Sequence, residues 1–144
     1  MKKKEFYLIS SLTIASPPNT SDHWLIDSGS SRHFIAYKEA LSNLIEKKMN
    51  MEIILEDNAT YPMKGIGIVT LHLNQGQTLH LQEVLYALDL KSNMVSISAM
   101  EDKGFKVKFI DGKVCIRQRN QKDAFTLGFR VEGLYQVENF LWEL

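Results

Sequence analysis

Short apolar stretches separated by turn residues dominate this chain, and most have the periodicity of a β-strand. Apolar and polar positions alternate at residues 65–73 and 105–109, whereas residues 24–26, 51–55 and 84–86 are short, mainly apolar runs. Alternation predicts half-buried strands, and short apolar runs bounded by turns predict buried ones. Further strands are expected at residues 6–9, 33–35, 78–81, 113–116, 124–127 and 134–137. Many short strands of this kind predict a mainly β fold, either a barrel or a sandwich.

One stretch departs from the β pattern, and we predict a helix over residues 93–104. Ser96 can cap its start and Gly104 can terminate it. Residues 38–44 are expected to form a single helical turn or a loop. Residues 51–64 are expected to form a projecting hairpin with a polar tip.

Three segments are expected along the 144 residues, a length that suits one domain. Residues 16–21 include two prolines, which favour an extended, solvated linker. The first segment, residues 1–21, is therefore an N-terminal strand and a linker. Residues 22–104 form the core, and residues 105–144 form a C-terminal β extension.

Composition and charge limit which partners, cofactors and cellular compartment are expected. The formal net charge is zero, so no broad attraction to nucleic acid or anionic lipid is expected, and Lys106 and Lys108 are interpreted as solvated. Cys115, the single cysteine, favours a reducing compartment such as the cytoplasm. The four histidines lack metal-ligand spacing, so no metal or cofactor is expected. No apolar run is long enough to span a membrane.

The stretch that carries candidate chemistry is residues 24–31, in which an apolar stem delivers Asp27 into a turn of small residues. Gly29 and Ser30 can direct backbone N–H groups at the carboxylate. An ordinary β-turn is the alternative interpretation. A serine nucleophile would require a base and a strand-to-helix elbow, which the sequence lacks. His33 is expected to be a structural hydrogen-bonding group rather than a catalytic partner.

As a catalytic group, Asp27 needs a second carboxylate. Two neighbouring carboxylates that share a proton can act as general acid and general base on one water molecule. The sequence contains one apolar-stem Asp-Ser-Gly. The second aspartate is therefore expected from a second copy of the chain, related by two-fold symmetry.

Two sequence blocks, with the predicted hairpin between them, occur at a characteristic spacing. The first reads Trp-Leu-Ile-Asp-Ser-Gly-Ser-Ser over residues 24–31, and His33 follows. The second reads Val-Leu-Tyr at residues 84–86 and Asn-Met-Val-Ser at residues 93–96. In combination these blocks resemble the copia-type retrotransposon proteases, which belong to the retropepsin-like aspartic proteases.

The resemblance implies a fold, an activity and a set of site residues. The fold would be a retropepsin-like closed barrel with a flap hairpin, one short C-terminal helix and extra C-terminal strands. The activity would be that of a homodimeric aspartic endopeptidase that cuts a polyprotein, without metal, cofactor, membrane or nucleic-acid partner, in the cytoplasm or within virus-like particles. The implied residues are Asp27, Ser28 and Gly29 for catalysis, Asp57, Asn58, Ala59 and Thr60 in the substrate-binding flap, and Met94, Val95 and Ser96 as active-site support.

Departures from the family pattern leave an alternative open. Ser30 stands where the family has alanine, and the flap tip lacks a pair of glycines. Residues 105–137 resemble the segment between protease and integrase in copia polyproteins, with Gly-Leu-Tyr at residues 133–135. The alternative is a binding or assembly module that keeps the fold and has lost activity.

Overall fold

The structure is a computed structural model, and the part of the chain that it describes comprises residues 5–9, 23–46, 51–55, 58 and 60–138. The predicted linker at residues 16–21 lies outside this part. The strands and the one α-helix of the described residues are β1 (Glu5–Ile9), β2 (Trp24–Asp27), β3 (Phe34–Ile35), β4 (Leu41–Glu46), β5 (Met51–Leu55), β6 (Thr60–His72), β7 (Thr78–Ala87), β8 (Asn93–Ser96), α1 (Ile97–Asp102), β9 (Phe105–Ile110), β10 (Lys113–Gln118), β11 (Phe125–Val131) and β12 (Leu134–Val137).

Backbone pairing joins these strands into one open sheet. Its order is β1-β5-β6-β7-β3-β8-β2-β12-β11-β10-β9, and β4 pairs with β6 off this path. The mainly β fold with one short helix is confirmed. The expected closed barrel is wrong, because β1 and β9 end the sheet without pairing with each other. The C-terminal strands extend the sheet outward from β2 and leave β9 as an edge.

The predicted helix begins four residues later than its sequence pattern indicates. Asn93–Ser96 is strand β8, which pairs in parallel with β2 from Trp24↔Asn93 to Asp27↔Ser96. All four residues of β8 are buried, so pairing with a distant strand outweighs the local helical pattern. Ser96 caps α1 as expected, since its Oγ accepts a hydrogen bond from the Ala99 N–H at 3.1 Å.

The sequence predicted the structure of residues 51–64 correctly but that of residues 38–44 only in part. Residues 38–44 contain a 3-10 turn, Lys38–Ala40, and then enter β4, a strand that the sequence analysis missed. A bulge between Ser42 and Ile45 interrupts the alternation of β4, which removes the signal of period two. The hairpin predicted at residues 51–64 is confirmed, because β5 pairs antiparallel with β6.

The buried side chains of the described residues form two clusters on the sheet. The larger one contains Trp24 and Ile26 of β2 together with Val114 and Ile116 of β10. The smaller one contains Met94 of β8 and side chains from β3, β6 and β7. Strands β9–β12 therefore share both a sheet and a core with the strand that bears Asp27.

Gly128 lies where β11 passes closest to β12 and β2. A methyl group added there would meet the Gln136 carbonyl oxygen and lie 2.9 Å from Ile26 Cδ1. The carbonyl belongs to the backbone, so the two strands would have to separate. Glycine is required here for close packing of the C-terminal strands against β2.

We expect Gly128→Ala to lower the free energy of unfolding by about 2–3 kcal/mol, because the new methyl group overpacks a strand interface. Urea unfolding of the purified chain measures this change. Gly67→Ala is the matched control: its nearest contacts, the Leu41 side chain and the Ser42 carbonyl oxygen, both lie at 3.0 Å, much farther than the backbone contact at Gly128, so its cost should be smaller. Equal stability of Gly128→Ala and wild type would contradict the packing of β11 against β12 and β2.

Candidate functional site

Asp27 is the last residue of β2 and lies beside the last residue of β8. The two strands run in parallel, so their carboxyl ends meet at one edge of the sheet. The Asp27 side chain is 8% exposed, and its Oδ1 accepts a hydrogen bond from the Gly29 N–H at 2.7 Å. The apolar stem Trp24–Ile26 is buried. The carboxylate is thus fixed at the end of a buried strand, directly before the exposed residues Ser28 and Gly29.

Ser96 joins β8 and α1 to the turn that follows Asp27. Its Oγ donates to the Ser30 carbonyl oxygen at 2.6 Å and accepts from Ala99 N–H, and the side chain is fully buried. The exposed Ser98 hydroxyl is a longer second donor to the Ser30 carbonyl, at 3.4 Å. One buried hydroxyl therefore connects the turn after Asp27 to the start of the helix.

His33 supports the same junction from the other side. Its Nδ1 accepts a hydrogen bond from the Ser96 N–H at 2.9 Å, and the Leu85 N–H donates to its backbone carbonyl at 3.0 Å. Burial, and secondarily the positive charge of Arg32, lowers the pKa of His33 from 6.5 to about 4. The ring is therefore neutral near pH 7, with its proton assigned to Nε2. The prediction of a structural hydrogen-bonding histidine is confirmed.

Ser30 is buried, and its hydroxyl is engaged within its own turn. Its Oγ donates to the Arg32 carbonyl oxygen at 2.7 Å. A serine hydroxyl has one proton to donate. That proton is directed at Arg32 and not at the Asp27 carboxylate.

The other predicted site residues fall into two groups. Ser28 and Gly29 are exposed in the turn, and Met94 and Val95 are fully buried in β8 on opposite faces of the sheet. The structure therefore brings the predicted catalytic and supporting residues together at one junction.

The flap residues lie on a separate hairpin. Thr60 and Asn58 are exposed, and Asn58 has a φ of +66°. Asp57 and Ala59 lie outside the described residues. In the order of the sheet, three strands separate β6, which begins at Thr60, from β2.

Sequence reasoning missed Asn93 as a structural member of this site. Its side-chain oxygen accepts from the Ala36 N–H at 2.8 Å, and its own N–H donates to the His23 carbonyl at 3.1 Å. Asn93 thus fixes the segments on both sides of the Asp27 turn. The sequence feature that could have identified Asn93 is its position as the first residue of the Asn-Met-Val-Ser block.

A metal site or a membrane span would be visible in the described part of the chain as a cluster of ligands or as a long apolar helix. The His, Cys, Asp and Glu side chains of that part do not form a group of three or more that is able to hold a metal ion. No helix in the same residues is both long and apolar enough to cross a membrane.

Comparison with known proteins places the chain in a family. Residues 24–105 match the family model described as "Pol polyprotein, beta-barrel domain". This match covers more than half of the chain, which therefore belongs to the Pol polyprotein beta-barrel domain family. The family name refers to a barrel, whereas the described strands of this chain form an open sheet.

Two curated relatives are retrovirus-related Pol polyproteins of Arabidopsis thaliana. The one from transposon RE1 is 23% identical over 120 residues, which is 83% of this chain and 8% of the relative. The one from transposon RE2 is 23% identical over 128 residues, which is 88% of this chain and 9% of the relative. The chain thus spans less than a tenth of either polyprotein. No solved structure matches the chain.

We expect the stability of the chain to fall as the pH drops from 6.5 toward 4. In this interval His33 binds a proton in the unfolded chain but not in the folded one, so acid favours unfolding. Above pH 6.5 this effect of His33 is absent. As the pH falls from 6.5 to 4, the free energy of unfolding decreases by up to about 3 kcal/mol. Urea unfolding at several pH values measures the loss.

His33→Asn removes the titrating ring, so its stability should vary less with pH than that of wild type. His80→Asn is the control, because it removes an exposed imidazole that pairs with Thr70. It should keep the wild-type pH dependence. The same pH dependence in wild type and His33→Asn would rule out this role for His33.

Proposed function

We propose that the chain is the aspartic endopeptidase domain of a copia-type retrotransposon Pol polyprotein, acting as a homodimer with one Asp27 per subunit. The observation that carries the proposal is the placement of Asp27. Its carboxylate lies at the carboxyl end of a buried parallel strand pair and receives the Gly29 N–H at 2.7 Å. A rigidly held carboxylate beside an exposed turn is suited to meet its symmetry mate across a two-fold axis.

In the proposed mechanism, the two Asp27 carboxylates of the dimer share one proton. The ionised carboxylate takes a proton from a water molecule, whose oxygen attacks the carbonyl carbon of the peptide bond. The protonated one donates to the carbonyl oxygen. In the resulting gem-diol intermediate, the protonated aspartate donates to the amide nitrogen and the ionised aspartate takes a proton from one of the two hydroxyls as the C–N bond breaks. The products are a carboxylic acid and an amine, and the aspartates return to sharing one proton.

The remaining site residues would position this pair of aspartates. The Ser28 hydroxyl would brace the turn of the partner subunit, and Gly29 would allow the two backbones to approach. Met94, Val95 and Ser96 would support the turn from β8. The flap at residues 57–60 would close over the peptide and exclude water.

The substrate would be a peptide segment of the polyprotein, cut between large apolar side chains. Processing would take place in the cytoplasm or within virus-like particles. Neither metal nor cofactor takes part in this mechanism, because the second carboxylate supplies the acid and base functions that a metal-bound water would otherwise provide.

The alternative is a binding or assembly module without activity. Its main support is Ser30, which replaces the alanine of the family. The hydrogen bond from Ser30 Oγ to the Arg32 carbonyl directs the hydroxyl proton away from Asp27. This geometry weakens the argument that Ser30 disturbs the carboxylate, and we favour the enzyme.

We expect Asp27→Asn to lower the rate of peptide cleavage by at least about 100-fold, because the amide cannot exchange the shared proton. Asp111→Asn is a matched control: it makes the same chemical change in the exposed turn between β9 and β10, at a φ of +51° that asparagine also adopts. It should keep the wild-type rate. The initial rate on a segment of the polyprotein measures both, with urea unfolding to confirm that each variant is folded. Wild-type cleavage by Asp27→Asn would refute the proposal and favour the assembly module.

A further inference from the structure

Charge is distributed unevenly along the chain. The segment from residue 105 to residue 137 contains seven Lys and Arg and three Asp and Glu, a formal net charge of +4 in a chain that is neutral as a whole. Its three acids, Asp111, Asp123 and Glu132, all lie in turns or loops. Strands β9–β12 therefore carry cations and no carboxylate.

Strand register determines which of these cations share a face. Residues opposite one another in an antiparallel pair point to the same side of the sheet. Val114 and Ile116 of β10 are completely buried, so their side of the sheet is the core side. The opposite side faces solvent, and the register assigns to it Lys106, Lys108, Lys113, Arg117 and Phe129, which we call the basic face.

The arrangement of the basic face is electrostatically unfavourable on its own. Lys106 lies directly opposite Arg117, and like charges in a cross-strand pair destabilise a sheet. Strands β9–β12 contain no Asp or Glu that could pair with these cations, and the salt bridge between Lys38 and Glu46 lies far from this face in sequence. A negatively charged partner would relieve this repulsion.

Protection of a free sheet edge against pairing explains only some of the cations on the basic face. Lysines on β9 discourage a free sheet edge from pairing with another chain. Lys113 and Arg117, however, belong to β10, which has a neighbour on each side. Arg117 has a further role, since its Nη1 donates to the Gln121 carbonyl at 2.7 Å and so holds the following loop. The lysines are therefore the cations available to a partner.

We propose that the basic face binds single-stranded nucleic acid. Lys106 and Lys108 are about 7 Å apart along one face of β9, and Lys113 extends the row of cations onto β10. Phe129 lies opposite Lys113 and is 37% exposed, which leaves an aromatic surface on which an unpaired base can stack. Lysines beside an exposed aromatic ring match a strand of phosphates with accessible bases. The proposal departs from the expectation, drawn from the zero net charge of the chain and the alternation around Lys106 and Lys108, that these lysines are solvated and that nucleic acid is not a partner.

The test is fluorescence anisotropy of a labelled 12-nucleotide oligouridylate titrated with the full chain at several salt concentrations. The dissociation constant should be in the micromolar range at low salt, and log K should fall with log salt with a slope of about −2, which corresponds to three phosphate contacts. The triple variant K106Q/K108Q/K113Q should bind at least about tenfold more weakly and lose most of the salt dependence. The control K38Q/K64Q/K91Q makes the same charge change in segments that do not belong to β9–β12, and it should bind within about twofold of wild type.

Further variants test whether binding depends on base stacking and whether it is independent of the proposed peptidase activity. Phe129→Leu keeps an apolar side chain but removes the ring, so it should weaken binding about fivefold to tenfold with an unchanged salt slope. Asp27→Asn should bind as wild type does, which makes this test independent of the proposed peptidase activity. Thermal unfolding verifies that each variant is folded. If the triple variant is unfolded, Lys106→Gln and Lys113→Gln are measured singly, each with a slope smaller by about 0.7.

Three results would overturn the proposal. The first is equal binding by the lysine variants and the control. The second is equally tight binding of polyglutamate, which would identify an acidic protein segment as the partner. The third is equally tight binding of a duplex of the same length, which would exclude recognition of unpaired bases.

Discussion

The parallel pairing of β2 with β8 is the constraint on which the rest of the structure depends. It brings Asp27 beside Ser96, although 68 residues lie between them in the sequence. The Ser96 hydroxyl then closes the junction by donating to the Ser30 carbonyl at 2.6 Å, and His33 accepts the Ser96 N–H. These bonds lie in the interior, where an unpaired polar group is costly, so the turn after Asp27 has one favoured arrangement. The same serine starts α1, which links helix position to turn position.

Much of the fold follows from local sequence, and the failures have identifiable physical causes. Most strands, the β5–β6 hairpin and the Ser96 cap depend on short-range patterning. The stretch from Asn93 to Ser96 has a helical pattern but becomes a strand, because its partner β2 is distant in sequence. Strand β4 was missed because a bulge hides its alternation. The open sheet was missed because β12 joins β2 through a non-local pairing that leaves no local signal.

The candidate site, like the fold, combines local features that the sequence predicts with long-range contacts that it does not. The apolar stem, Asp27 and the Gly29 N–H contact are neighbours in sequence, so the sequence alone was enough to predict them. The contact between His33 and Ser96 spans 63 residues, and the position of Asn93 beside Ala36 spans 57. The basic face likewise requires the register of β9, β10 and β11, since only strand pairing places Lys113 on the side of Lys106 and Lys108. Contacts of this length depend on the complete fold and not on periodicity.

The most direct measurement of the half-site is the cleavage rate when wild-type chain is mixed with Asp27→Asn chain at a constant total concentration, above the dimer dissociation constant. If each subunit supplies one aspartate, mixed dimers are inactive and the rate follows the square of the wild-type fraction. An equal mixture should then retain about one quarter of the wild-type rate. A rate that falls in direct proportion to the wild-type fraction, to about one half, would show that a single chain carries the complete site.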